Sequence, residues 1–178
     1  MTPVLGKLSL RPAREDTGLL AGPVVHALGD SLGDRAYVTE IDPDDADTAA
    51  FGRRYDVPPE VSANCVIVLG KRSGELRPAG CVVLASTRVD VNNVVRRHLG
   101  ARRASFAPQE YATEHTGMEY GGITPVGLPE DWPLLVDSRV AAAEWVVVGS
   151  GLRRSKLVLP GHALAELPGA VVLESLGV

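Results

Sequence analysis

Aromatic residues are scarce in this chain: they make up 4% of its 178 residues, although hydrophobic residues as a whole make up 45%. The core must therefore be built from Val, Leu, Ala and Ile, which favours β-strands over a helical bundle with aromatic anchors. Long apolar runs are also missing. A membrane-spanning helix needs about 18 consecutive apolar residues, and no apolar run in this sequence is that long. Residues 1–16 contain no charged segment followed by an apolar one, so no signal peptide is expected.

Cysteine and positive charge are limited as well. Cys65 and Cys81 are the two cysteines, and both lie in apolar runs. We interpret them as buried core thiols, with a disulfide or redox role as the alternative. The net charge of −4 argues against strong non-specific binding of nucleic acid. Residues 96–103 and 153–156 are nevertheless locally basic, and such patches can bind a polyanion.

Hydrophobic patterning predicts short strands and short helices in an irregular order. Two β-branched runs, Asn64–Gly70 and Ala79–Ser86, are joined by a polar turn and predict a β-hairpin. Because strands and helices do not alternate strictly, the predicted fold class is α+β: a mixed, largely antiparallel sheet of six to seven strands with short flanking helices. We expect a single cytoplasmic domain over residues 1–178, with residues 1–15 held loosely.

Familiar catalytic and metal-binding motifs are missing. The four histidines have neither HxH nor HExxH spacing, so no metal site is expected. Residues 42–47 begin like a calcium loop but lack its later Gly and Glu, and we interpret them as the acidic start of a helix. Gly149-Ser150-Gly151 lacks the third glycine and the following helix of a dinucleotide site. No Gly-x-Ser-x-Gly nucleophile motif occurs either.

One irregular segment, residues 116–137, is rich in glycine and proline and lies within an otherwise regular chain. Gly121 and Gly122 permit backbone conformations and close ligand approach that side chains prevent. Pro125 fixes one dihedral angle and removes a donor. A backbone nest of this kind suits an ester carbonyl or carboxyl oxygen. A tight connection without function is the alternative that composition leaves open.

The pentapeptide Gly121–Pro125, Gly-Gly-Ile-Thr-Pro, resembles the GxxxP loop of the YbaK/prolyl-tRNA synthetase-associated editing domains. Further similar segments, at residues 55–72, 89–108 and 146–167, follow in the family's order, so that the resemblance extends from about Ala46 to Leu167. It implies a mixed α/β fold and hydrolysis of mischarged aminoacyl-tRNA without a metal or cofactor. Aminoacyl-tRNA is the implied partner and a synthetase a further candidate; no membrane is involved, and a monomer or a homodimer is expected.

The resemblance also suggests roles for individual residues. Gly121, Gly122 and Ile123 would offer amides to the aminoacyl carbonyl. Many family members have a lysine at the start of a strand where this chain has Asn64, and some have an aspartate where it has Lys156. The pocket cation would then have moved to Lys156 or to the neighbouring Arg153 or Arg154; the alternative is that Lys156 faces solvent and the pocket has lost its cation.

The sequence and the resemblance together offer a set of candidate site residues. The candidate catalytic residues are Asn64, Gly121 and Lys156. The candidate substrate-binding residues are Gly122, Ile123, Thr124, Pro125, Gly151 and Arg153. Candidate contacts to the tRNA backbone are Arg96, Arg97, Arg102 and Arg103, for which a solvated surface is the alternative. The predicted function is that of a free-standing trans-editing hydrolase; the second hypothesis, favoured by Asn64, is a catalytically weakened module that binds an aminoacyl-adenosine or an amino acid.

Overall fold

The computed structural model describes residues 1–178 with the exception of the side chain of residue 30. In the described part, nine β-strands and six α-helices alternate irregularly along the chain. The strands are β1 (Arg11–Pro12), β2 (Tyr37–Glu40), β3 (Ala63–Arg72), β4 (Glu75–Leu84), β5 (Arg103–Phe106), β6 (Leu134–Asp137), β7 (Val146–Gly149), β8 (Ser155–Leu159) and β9 (Ala170–Leu173). The helices are α1 (Gly22–Gly33), α2 (Thr48–Tyr55), α3 (Arg96–His98), α4 (Gln109–Thr116), α5 (Ser138–Ala141) and α6 (Gly161–Ala165).

The strands form two sheets. One has the order β1-β2-β8-β7 and is antiparallel throughout. The other has the order β5-β3-β4-β6-β9, and its β4–β6 and β6–β9 pairs are parallel. An isolated parallel bridge between Ser62 and Val147 links the start of β3 to β7. The largest hydrophobic cluster also joins the two sheets, since it contains Val38 and Val82 from opposite sheets.

The predicted α+β class and the mixed sheet are confirmed, and the hairpin is β3 paired with β4 from end to end. The strand count differs from the expected six to seven, and the strands are divided between two sheets. Length explains part of this difference, because β1 has only two residues, one of them Pro12, and shows no periodic pattern. The division between sheets depends on long-range pairing, which periodicity does not report.

The predicted helix after Asp90 is present in an irregular form. The Asp90 side chain accepts a hydrogen bond from the Asn93 amide at 3.1 Å. A π-helical turn over Val91–Val95 then continues into α3. No helix among the fully described residues is long and apolar enough to cross a membrane.

The N-terminal segment makes more contacts than the expected loose attachment of residues 1–15 implies. Leu5, Leu8 and Leu10 pack against the cluster around Phe51. The Lys7 amide also donates to the Tyr55 carbonyl at 2.7 Å. These three leucines follow neither helical nor strand spacing, so their burial has no local sequence signal.

Candidate functional site

A cleft of about 550 Å³ lies between the two sheets. Its walls come from four parts of the chain: the turn into α2, the first half of β3, the residues around the end of β5, and the glycine-rich loop together with β7 and β8. The lining of the cleft includes Asp47, Thr48, Asn64, Cys65, Phe106, Tyr120, Gly121, Ile123, Arg153 and Lys156.

Strand pairing explains why the cleft is open at this place. β5 pairs with β3 only from Val68 to Lys71. The earlier residues of β3, 63–67, therefore have no β5 partner beside them, and they line the cleft. A ligand bound there would lie against the part of β3 that has no β5 partner, so its binding would not require any β3–β5 pairing to be broken.

Lys156, on β8, brings a positive charge into this cleft. Its side chain is buried, since the residue is only 7% exposed, so the alternative in which it faces solvent is excluded. The ammonium donates to the Ala46 carbonyl at 3.1 Å and lies 5.3 Å from the centre of the Phe51 ring. No carboxylate of a described side chain lies within ion-pair distance of it.

This environment lowers the pKa of Lys156 from its ordinary 10.5 to about 8. Burial is the main cause, because it disfavours the charged form. The negative charge of Asp47 opposes that effect, and the positive charge of Arg153 reinforces it. Near neutral pH the group is therefore an ammonium that is poorly hydrated and available to a polar ligand.

Asn64 stands at the start of β3, at the position where the resemblance leads one to expect a lysine. Its Oδ1 accepts a hydrogen bond from the Thr48 hydroxyl at 2.6 Å. Thr48 is placed by the start of α2, where the Asp47 carboxylate accepts from the Ala49 and Ala50 amides at 3.1 Å each. Among the described residues none accepts from Asn64 Nδ2, which leaves these two N–H groups for a ligand.

Gly121 and Ile123 face the same cleft from the glycine-rich loop, residues 119–125. Gly121 has a φ of 86°, in the left-handed region that glycine favours. The Gly122 amide is committed to the Glu119 carbonyl at 2.9 Å. The amides of Gly121 and Ile123, by contrast, have no acceptor within the described part of the chain, so they are free to bind a carbonyl oxygen.

The segment Gly149–Leu152 supports this loop from behind. The Gly151 amide donates to the Gly122 carbonyl at 2.7 Å, and the Glu119 amide donates to the Gly151 carbonyl at 2.9 Å. A Cβ at Gly149 would collide with the Gly122 carbonyl oxygen, and one at Gly122 would lie 2.7 Å from the backbone carbon of Leu152. Gly149 of the Gly-Ser-Gly motif and Gly122 of the loop thus allow two backbone segments to touch.

Not every candidate substrate-binding residue reaches the cleft. Ile123 and Arg153 line it. Gly122, Thr124 and Pro125 are buried residues of the loop itself, Gly151 is buried beneath it, and none of the four is in the lining of the cleft. Thr124 is fully buried, and its hydroxyl has no hydrogen-bond partner in the structure. These four residues are placed to hold the loop in shape.

Arg153 and Arg154 are neighbours in sequence, but their guanidinium groups bind different parts of the chain. The Arg153 guanidinium donates to the carbonyls of Tyr120 at 3.2 Å and Pro43 at 3.0 Å, which fixes its charge beside the cleft. The Arg154 guanidinium instead donates to the Gly18 carbonyl at 2.6 Å. Of the three cations that the sequence offered as replacements, Lys156 and Arg153 therefore lie at the cleft.

Sequence reasoning missed Asp47, Thr48, Phe106 and Tyr120 as cleft residues, and it described Cys65 only as a core thiol. The acidic cap of α2 was a usable signal, since an N-cap fixes the residue after it. Both cysteines are free. Burial raises the pKa of Cys65 to about 12, so this thiol stays protonated at neutral pH and is no nucleophile.

The remaining question about the cleft is whether its polar groups suit a metal ion or an organic ligand. In the part of the chain that the structure describes, no three His, Cys, Asp or Glu side chains are grouped so as to hold a metal ion. The donors in the cleft lining are the buried Lys156 ammonium, the Arg153 guanidinium, the Asn64 amide and the loop amides, while the Asp47 carboxylate is engaged in capping α2. Such a set favours a ligand with carbonyl or carboxylate oxygens.

Solved structures with the same fold are known. A candidate trans-editing enzyme for prolyl tRNA synthetase is 21% identical, with a TM-score of 0.71 over 93% of this chain and 98% of that one. A hypothetical protein is 23% identical, with a TM-score of 0.70 over 79% and 90%. A scaffold from work on epitope backbone grafting is 21% identical, with a TM-score of 0.69 over 85% and 93%. At these identities the likeness concerns the fold.

The family follows from the sequence model described as "Aminoacyl-tRNA editing domain". It matches residues 42–167, which is well over half of the chain. The chain belongs to this family, and the resemblance seen in the sequence is confirmed. The matched region contains every one of the cleft residues named above.

Proposed function

We propose that this protein is a trans-editing hydrolase that removes a mischarged amino acid from tRNA. The observation that carries the proposal is that one cleft is lined by Lys156, whose ammonium is buried, and by Gly121 and Ile123, whose amides have no acceptor among the described residues. The family supplies the substrate class, aminoacyl-tRNA. The size of the cleft, about 550 Å³, is within the range of small-ligand pockets.

The proposed reaction is hydrolysis of the ester between the amino acid and the terminal ribose. The oxygen of a water molecule adds to the ester carbonyl carbon, and negative charge develops on the carbonyl oxygen. The ester C–O bond then breaks and a proton from the attacking water passes to the leaving ribose oxygen, which yields the free amino acid and the ribose hydroxyl of the tRNA. The loop amides would stabilise the developing charge, and removing one such donor typically lowers the rate by about 10²–10³-fold.

Lys156 would contribute charge, because its ammonium lies in a poorly hydrated place where electrostatic interactions are strong. Asn64 Nδ2 would orient the amino acid or the attacking water through its free N–H groups. Since the pKa of Lys156 is about 8, we expect the enzyme-dependent rate to lose the benefit of this charge as the pH rises above that value. A pH–rate profile corrected for spontaneous ester hydrolysis measures this directly.

The decisive experiment follows ester loss from alanyl-, cysteinyl- and seryl-tRNA with the purified protein and with a buffer control. We expect at least one ester to be cleaved, and Lys156→Ala to lower kcat by about 10²-fold. Lys7→Ala is the matched control, because Lys7 is an exposed lysine paired with Asp56. Unchanged turnover in Lys156→Ala would sink the relocated-cation mechanism.

A second function has one observation in its favour. Asn64 is neutral where a lysine is expected, so the cleft has one cation fewer on the β3 side. A protein of this kind would bind an aminoacyl-adenosine, or an amino acid, without cleaving the ester. Titration with an amide-linked analogue of alanyl-adenosine measures binding, and the deacylation assay on the aminoacyl-tRNAs measures ester loss. Tight binding of the analogue without ester loss from any aminoacyl-tRNA supports the binding module, and ester loss supports the hydrolase.

A further inference from the structure

The two exposed aromatic side chains of the protein both line the cleft. The chain has eight aromatic residues. Phe106 is 58% and Tyr120 is 55% exposed, and both line the cleft. The other six are buried or partly buried. In a chain with so few aromatic residues, two solvent-exposed aromatic rings in the lining of one cleft need an explanation beyond core packing.

Both rings are carried on fixed backbone. Phe106 ends β5, where it is paired with Val68 of β3. The Tyr120 carbonyl accepts from the Arg153 guanidinium at 3.2 Å, and the Arg153 amide is held in turn by the Glu119 carboxylate at 2.8 Å. Exposed aromatic side chains on fixed backbone suit a flat ligand that stacks, because the backbone loses little conformational freedom on binding.

Positive charge continues outward from Phe106. Residues 71–106 contain eight Lys and Arg but two Asp and Glu, whereas the whole chain has a net charge of −4. Arg103 lies three residues before Phe106 on β5, roughly 10 Å along the strand, and is paired with Lys71. Arg102, Arg103 and Lys71 are all exposed. A polyanion that enters the cleft past Phe106 therefore meets this basic edge.

We infer that Phe106 and Tyr120 stack on the unpaired bases at the 3′ end of the RNA, and that the basic edge at Lys71, Arg102 and Arg103 binds the phosphates that follow. This inference rests on the proposed function in one respect: the terminal base is attached to the ribose that carries the ester, so an ester inside the cleft places that base at the mouth. Aromatic stacking and a basic track are the usual means of binding single-stranded RNA.

The test measures binding of uncharged RNA, so that hydrolysis is not required. The probes are a fluorescein-labelled acceptor-stem hairpin with a four-nucleotide single-stranded 3′ end and the same hairpin with a blunt end. Fluorescence anisotropy gives the Kd of each for the full-length protein. We expect the tailed hairpin to bind more tightly than the blunt one.

Phe106→Leu and Tyr120→Leu keep apolar side chains but remove the aromatic faces. Each is expected to weaken binding of the tailed hairpin by roughly 5- to 100-fold, the range for loss of one stacked base, and to leave the blunt hairpin unchanged. Leu76→Ala is the matched control, since Leu76 is an exposed apolar residue on the hairpin that does not line the cleft. A tailed hairpin that binds Phe106→Leu and Tyr120→Leu as tightly as the unmodified protein overturns the inference.

The salt dependence of RNA binding tests the proposed phosphate contacts separately. Replacing Arg102 and Arg103 by Gln should reduce the slope of log K against log salt by about 1–2. Arg88→Gln should leave the slope unchanged, because Arg88 follows the opposite end of β4, roughly 30 Å of strand from Glu75. An unchanged slope in the double variant would remove the basic edge from the RNA path.

The outcomes separate this inference from the proposed function. Tail-dependent binding that needs Phe106, with no ester loss from any aminoacyl-tRNA, supports the RNA site and contradicts the hydrolase. Ester hydrolysis with equal binding of tailed and blunt hairpins supports the hydrolase and contradicts the stacking site.

Discussion

Replacing Lys156 by methionine should make the protein more stable at neutral pH. The ammonium is buried, and its contacts are the Ala46 carbonyl and the Phe51 ring, without an ion-pair partner among the described side chains. Its pKa of about 8, against 10.5 for an ordinary lysine, measures how strongly the fold disfavours the charge. That difference corresponds to about 3 kcal/mol at pH 7. Methionine has a similar length and no charge to desolvate.

The effect must depend on pH in a defined direction. Below pH 8 the ammonium is charged in both the folded and the unfolded chain, so the full destabilisation is present. Between pH 8 and 10.5 the folded protein has released this proton while the unfolded chain retains it. The unfolded state then binds more protons, and the stability of the unmodified protein rises with pH. The advantage of Lys156→Met should fall from about 3 kcal/mol at pH 7 to about 1 kcal/mol at pH 10.

Urea unfolding of the unmodified protein and Lys156→Met at pH 7 and pH 10 measures both quantities. Lys7→Met is the matched control, because Lys7 is exposed, and we expect it to change the free energy of unfolding by less than about 0.5 kcal/mol at either pH. A Lys156→Met variant that is less stable than the unmodified protein at pH 7 would refute the reasoning. So would an advantage that is the same at both pH values.

Three further changes test the supporting structure. Gly149→Ala should displace the glycine-rich loop and abolish ester hydrolysis in the proposed reaction, whereas Gly18→Ala, which has open space at its Cβ, should not; thermal unfolding and deacylation measure both. Thr124→Val removes a buried hydroxyl without a partner, so the free energy of unfolding should stay equal or rise by about 1 kcal/mol; a clear loss of stability would show that the hydroxyl is needed. Although burial alone would raise it, the pKa of Asp137 is lowered by hydrogen bonds from Arg139 and the Gly177 amide. Asp137→Asn should therefore destabilise the fold by about 1–3 kcal/mol at pH 7, and the difference should shrink as the pH falls and the carboxylate is protonated; a difference independent of pH would contradict this account.

The parts of the fold that could be predicted from the sequence are those with local signals. The β3–β4 hairpin follows from two β-branched runs and a polar turn, and α2 follows from the acidic cap at Asp47. The glycine-rich loop could be located because glycine and proline mark special backbone. The pairing of β6 with β4 and β9 joins residues far apart in sequence, and no local pattern reports such contacts.

The cleft itself was harder to predict, because its residues come from both sheets. Lys156 is on β8 and Asn64 is on β3, and only the packing of one sheet against the other brings both to one opening. The sequence identified both positions through the family resemblance, but it left open whether Lys156 faces solvent. Tyr120 directly precedes the Gly121–Pro125 motif and Thr48 directly follows the Asp47 cap, but no local pattern reports that these two residues and Phe106 line one cleft. Only the structure shows it.

The position of the charge connects stability with the proposed chemistry. A lysine without a carboxylate partner in a buried place destabilises the fold, and packing alone would favour an apolar residue there. A lysine at position 64, which the resemblance leads one to expect, and Lys156 on β8 would reach the same cleft from opposite sheets. The absence of lysine at position 64 therefore does not remove the cation from the pocket. Lys156→Met tests stability and catalysis in one variant. It should gain stability and lose ester hydrolysis, which is the trade-off expected where a destabilising group is kept for function. A variant that gains stability and still cleaves the ester would assign the ammonium no part in the reaction and leave the loop amides as its main source of charge stabilisation.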